Sequence, residues 1–101
     1  MTQKTYRGDT IGRIFHFKDE NDAYFDPSTV TIKIIDPNGT TKQTLSKSDL
    51  TKIDTGQYKM TYNVPDDAEY GLWTIQVTAT AAGNAQNTEE FVFDVVRKKG
   101  E

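Results

Sequence analysis

An all-β fold, an antiparallel sandwich of seven to eight strands, is predicted by three features of this sequence. The first is unbroken alternation from Gln57 to Val64. Tyr58, Met60, Tyr62 and Val64 fall on one side, and Gln57, Lys59, Thr61 and Asn63 on the other. Such a period of two marks a strand with one dry and one wet face. The second is punctuation, by Gly8-Asp9, Asp36-Pro37-Asn38-Gly39, Asp54-Thr55-Gly56 and Ala82-Gly83-Asn84. Short strands separated by such turns build a sandwich rather than βαβ units. The third is composition: fifteen Thr and ten Phe plus Tyr, residue types that favour strands.

Taken in order, Gln3–Tyr6 is a short opening strand. Gly8-Asp9 turns the chain into Thr10–Lys18, where Ile11, Phe15 and Phe17 share a face that Arg13 interrupts. The acidic run Asp19-Glu20-Asn21-Asp22 opens a loop that ends near Asp26-Pro27. Thr29–Ile35 follows, turning Val30, Ile32 and Ile34 inward. In Asp36-Pro37-Asn38-Gly39 the proline pre-sets its φ and Asn-Gly accepts positive φ, so a tight turn leads to a return strand, Thr41–Leu45. Ser46–Ile53 has no clear period and is expected to be one helical turn or an irregular edge. Gln57–Val64, Leu72–Thr80 and Glu89–Val96 complete the set, with Ala82-Gly83-Asn84 closing the last hairpin. Phe91, Phe93 and Val95 are expected inside, and Trp73 with the Phe91/Phe93 pair should dominate the core, since aromatic rings bury the most area.

The 101 residues suffice for one domain, placed at 1–96, followed by a basic, flexible tail at 97–101 that holds Arg97-Lys98-Lys99. The chain has no cysteine, which excludes a disulfide framework and thiolate metal sites. A net charge of −3 argues against a polyanionic partner, so nucleic-acid binding is not expected. The N-terminal MTQKTYRGDT lacks the apolar core of a signal peptide, and no run approaches membrane-spanning length. Two origins fit: a product made and used in the cytoplasm, or an excised domain given a start methionine.

Candidate sites are few. Arg7-Gly8-Asp9 spells an adhesion tripeptide, but Gly-Asp is also the turn needed to enter the next strand. Asp19, Glu20, Asp22 and Asp26 form one acidic loop, and Asp66, Asp67 and Glu69 another. Their spacing departs from a twelve-residue calcium loop, and no metal or cofactor is expected. His16, the only histidine, faces away from Phe15 and Phe17. The serines are Ser28, Ser46 and Ser48, and nothing is arranged as nucleophile, base and orienting group. An enzyme with a small-molecule substrate is therefore not expected. Asn38-Gly39-Thr40 fits a glycosylation sequon, which the Asn-Gly turn already explains. What stands out is apolar surface: Ile14, Ile35, Leu72, Val92 and Val96 sit at nominally outward positions. Exposed apolar area is the usual mark of a partner face, so self-association or docking on a larger protein assembly is the expectation.

Two resemblances sharpen this. Asp54-Thr55-Gly56-Gln57-Tyr58-Lys59-Met60 is similar to the D-x-G-x-Y-x-C signature of immunoglobulin domains, with Met60 in the cysteine's place. In those domains the tyrosine hydroxyl ties down a corner. Two strands follow that of Tyr58 here instead of one, and Trp73 follows the tyrosine, so close kinship with them is not implied. A second resemblance spans nearly the whole chain. Tyr6-Arg7-Gly8-Asp9-Thr10-Ile11 resembles the Y-x-x-G-D-T-V opening of macroglobulin-type and other bacterial immunoglobulin-like domains. The Asp36-Pro37-Asn38-Gly39 turn, the Asp54-Thr55-Gly56-Gln57-Tyr58 turn and Val64-Pro65-Asp66-Asp67-Ala68-Glu69-Tyr70-Gly71-Leu72-Trp73 follow in that family's order. The pattern also resembles small stand-alone proteins encoded among tailed-phage structural genes. These resemblances imply an immunoglobulin-like β-sandwich without catalysis. The expectation is a structural or accessory virion protein of the phage head, neck or tail, made in the host cytoplasm. The alternative is a spacer or binding domain of a secreted macroglobulin-like or adhesin-like protein at the bacterial cell surface.

Overall fold

The computed structural model describes residues 3–19, 21–80 and 86–97. Among the described residues there are eight strands: β1 (Gln3–Thr5), β2 (Thr10–His16), β3 (Thr29–Ile35), β4 (Thr41–Ser46), β5 (Thr51–Asp54), β6 (Gln57–Asn63), β7 (Gly71–Thr80) and β8 (Gln86–Val95). They form a five-stranded sheet in the order β1-β8-β7-β3-β4 and a three-stranded sheet in the order β2-β6-β5. All pairings are antiparallel except β1 with β8, which run parallel. These two strands lie at opposite ends of the sequence, so no hairpin constrains their relative direction. The expected immunoglobulin-like β-sandwich is the fold observed.

The two sheets meet through the residues that alternation selects. Ile11 and Phe15 of β2 and Tyr58, Met60 and Tyr62 of β6 face Val30, Ile32 and Ile34 of β3, together with Trp73, Ile75, Val77, Phe93 and Val95. Trp73 stacks on Phe93 with ring centroids 5.7 Å apart, and its indole N–H donates to the Glu69 carbonyl at 2.8 Å. That bond satisfies the one polar atom of a ring that is 1% exposed, as burial of an indole requires.

Three details differ from expectation. Phe91 is only half-buried: it touches Phe15 (5.6 Å between centroids), and the Arg13 guanidinium lies 4.0 Å above its ring. Arg13 thus interrupts the apolar face because its flat cation covers an aromatic that the facing sheet leaves partly open. Second, β2 stops at His16, since the Phe17 N–H turns to the Gly56 carbonyl (2.8 Å) and Lys18 bridges Tyr24. Third, Ser46–Ile53, expected as one helical turn or an irregular edge, divides into a 3-10 turn at Lys47–Asp49 and a strand, β5, that the sequence did not mark. The turn is fixed by Asp49, whose carboxylate accepts from the Ser46 N–H at 2.9 Å. The Arg97 guanidinium lies 5.3 Å from the centre of the Tyr70 ring. Residues 98–101 and the expected hairpin at Ala82-Gly83-Asn84 lie outside the described residues.

Candidate functional site

The five apolar residues proposed for a partner face do not share one surface. Ile14 is on β2, opposite Lys59 of β6, on the outside of the three-stranded sheet. Ile35, Leu72 and Val92 are outside the five-stranded sheet, where Ile35 pairs with Thr74 and Thr74 with Val92. Leu72, Val92 and Ile14 are 54%, 45% and 46% exposed, while Ile35 and Val96 are half-buried. Two strand spacings separate Ile35 from Val92, roughly 10 Å, with Thr74 between them. Ile53 on β5 is exposed as well; its strand has no buried face, so no alternation marked it.

The first acidic loop is spent on its own architecture. Asp19 accepts from the backbone N–H of Asn21 (2.8 Å) and Ala23 (3.0 Å), and Asp22 pairs with Lys18 at 3.5 Å. Asp26 is a hub. Its carboxylate takes the Lys52 ammonium at 2.8 Å, the Gly56 N–H at 2.9 Å and the Tyr58 hydroxyl at 3.0 Å. The Lys52 bond foremost, then the Gly56 N–H, lower its pKa to about 2; partial burial opposes them and Tyr58 adds to them. Lys52 is raised in turn by the same bond, and the Tyr58 phenol is raised by burial and then by Asp26. Tyr58 thus anchors the turn before its strand through a carboxylate. Gly56 belongs to this knot: with φ at +71°, a Cβ there would meet the Phe17 carbonyl at 2.8 Å.

Asp66, Asp67 and Glu69 follow β6, whereas Asp26 meets the residues that precede it, so the two acidic loops lie at opposite ends of that strand. Among the described residues no three His, Asp or Glu side chains converge on a point. The Arg7-Gly8-Asp9 segment is a turn tied to the end of β6. The Gly8 N–H donates to the Val64 carbonyl (2.9 Å), and Asp9 accepts from the Tyr6 N–H (3.0 Å). Arg7 is held by the Ala68 carbonyl at 2.8 Å and lies 4.0 Å over the Tyr70 ring. His16 is exposed beside Tyr24, its Nδ1 3.4 Å from the phenol oxygen. The Ser28 hydroxyl donates to the Thr80 carbonyl, and the Ser46 hydroxyl bonds Ser48 and Asp49, so histidine and serines serve separate elements. Asn38-Gly39-Thr40 forms the expected turn, with Gly39 N–H donating to the Asp36 carbonyl at 3.0 Å. The Asp36 carboxylate caps it through the N–H groups of Asn38 and Thr40.

Sequence reasoning missed a cleft of about 370 Å³ at the open side of the sandwich. Lys42 and Gln43 of β4 form one wall, and Tyr62 and Asn63 of β6 the other. The loop residues Pro65, Asp67, Ala68 and Glu69, with Trp73, complete it. The cause is topological. β5 pairs with β6 only from Gln57 to Lys59, so among the described residues the later part of β6 has no neighbour on that side. β4 is likewise an edge, bonded among the described residues to β3 alone.

No family model matches this chain, and no curated protein matches it. Among solved structures it is similar to the crystal structure of a Salmonella alpha-2-macroglobulin mutant. The likeness has a TM-score of 0.66 at 18% identity and covers 96% of this chain. It takes in 6% of that chain. The likeness is one of fold: from end to end, this chain resembles a single immunoglobulin-like β-sandwich domain within a far longer bacterial macroglobulin.

Proposed function

We propose that this chain is a non-enzymatic spacer or binding module of a macroglobulin-like protein at the bacterial surface or in its secretions. The observation that carries the reading is the end-to-end likeness to one domain of such a protein. Local chemistry supports it. Three loop carboxylates, Asp19, Asp26 and Asp36, are engaged in holding turns. The virion role expected from the resemblance has no support in the likeness to solved structures, and the macroglobulin-type reading shares its motifs.

Fractionation of the source bacterium tests the proposal. Peptides of this chain are expected in the envelope or secreted fraction, within a polypeptide much longer than 101 residues. Recovery solely from purified phage particles would overturn it and restore the virion reading.

A further inference from the structure

The cleft beside β4 has the features of a recognition site, and the inference drawn from it rests on the binding half of the proposed function. Its volume, about 370 Å³, falls within the usual range of side-chain and small-ligand pockets. Tyr62 forms part of its wall. That side chain is 8% exposed, and its hydroxyl bonds to none of the described residues but is not sealed from solvent. The hydroxyl is therefore open to a polar group that enters the cleft. Burial raises the Tyr62 pKa, so at neutral pH the hydroxyl is protonated and both donates and accepts.

Charge around the opening is lopsided. Asp67 and Glu69 are exposed, and neither carboxylate takes a hydrogen bond or ion pair from the described residues. The cation of the opposite wall, Lys42, is turned to Asp36, with 3.9 Å between Nζ and Oδ2. Along the rim, β4 offers the backbone edge of a six-residue strand that no described residue pairs with on that side. Such an edge is a template for one more strand, and alternate side chains of an added strand point to one face.

We propose that this cleft takes an extended peptide of a partner protein, which lies along the open edge of β4 and sends a lysine or arginine side chain between Asp67 and Glu69 toward the Tyr62 hydroxyl. Main-chain bonds to β4 supply the general affinity, and the two carboxylates select the basic side chain. An acidic peptide meets the same edge but is repelled at the mouth.

The test uses the whole chain and a blocked peptide of alternating threonine and lysine, long enough to pair with β4. Its glutamate counterpart and a single blocked lysine are the controls. Amide NMR shifts are expected to saturate at Gln43, Asn63 and Ala68 with the lysine peptide alone. Combined Asp67→Asn and Glu69→Gln should weaken binding about tenfold, since charge-assisted bonds are lost. Tyr62→Phe should weaken it several-fold without altering the spectrum elsewhere. The inference is overturned by absence of saturation up to about 1 mM. It is equally overturned by an equal response to the glutamate peptide, by blocked lysine saturating at the same concentration, or by shifts confined to the Leu72 and Val92 face. Any of these leaves the spacer role intact, which cell fractionation tests separately.

Discussion

Asp26 joins a lysine, a backbone amide and a phenol that stand well after it in the sequence. Its lowered pKa sets the sign of a pH effect. A carboxylate depressed in the folded state adds stability that is complete above its unfolded pKa and is lost as pH falls toward the folded one. The loss should run from about pH 4 to the folded value of about 2. It will be moderate, because the side chain is 36% exposed and solvent screens the ion pair. Asp26→Asn should lower the melting temperature at pH 7 and flatten this acid limb; an unchanged limb, followed by circular dichroism, would remove Asp26 as its cause. Tyr58 and Tyr62 have raised values, so their stabilising effect holds below the ordinary phenol pKa and declines as pH rises past it.

The glycines give a second comparison at this scale. Gly56 and Gly39 both have positive φ, +71° and +87°. An added Cβ at Gly39 meets nothing within 4 Å, whereas at Gly56 it meets backbone atoms of Phe17 and Phe25 at 2.8–3.0 Å. Gly39→Ala should therefore cost about 1 kcal/mol, the conformational penalty alone. Gly56→Ala should cost distinctly more, because backbone must shift as well. Urea denaturation of the pair checks the ranking, and equal losses would show that the Gly56 turn has room.

At the scale of elements, legibility followed burial. β3, β6 and β7 were readable to within a residue or so because each has one buried face, and alternation is the trace of that face. β5 was not readable, since all four of its residues are exposed and its pairing with β6 alone defines it. The parallel course of β1 beside β8 was equally hidden, as its register depends on the far end of the chain. Trp73 joins β7 to β8 through Phe93 and to the preceding loop through Glu69. Trp73→Ala should cost about 3–5 kcal/mol, a large share of a small domain's stability. Calorimetry should find the domain unfolded or melting far lower, and a melt within a few degrees of wild type would refute its central place.

For the whole molecule, the sandwich sorts the apolar surface in a way that strand parity cannot. Parity placed Ile14, Leu72 and Val92 outward, but assignment of strands to sheets puts Ile14 on the opposite side from the other two. Leu72→Lys and Val92→Lys should each change stability by no more than about 0.5 kcal/mol, as expected for exposed positions. A drop of several degrees in melting would mean that the outer face is covered in the isolated chain. Ultracentrifugation of the same variants beside Ile14→Lys would show which sheet carries any self-association.

Sequence alone determined the class of fold, because period-two burial, turn residues at positive φ and a supply of β-forming side chains act locally or between neighbours. It also determined most of the core, with Phe91 the exception, half-buried beneath the Arg13 guanidinium. The tertiary structure decided how the eight strands divide into five and three, and hence where the sheets run out of partners. The Asp26 knot and the cleft beside β4 both arise there. Each unites residues far apart in the chain, Asp26 with Lys52 to Tyr58 and Lys42 with Tyr62 to Glu69. Only chain closure sets such distances, and local pattern carries no trace of them.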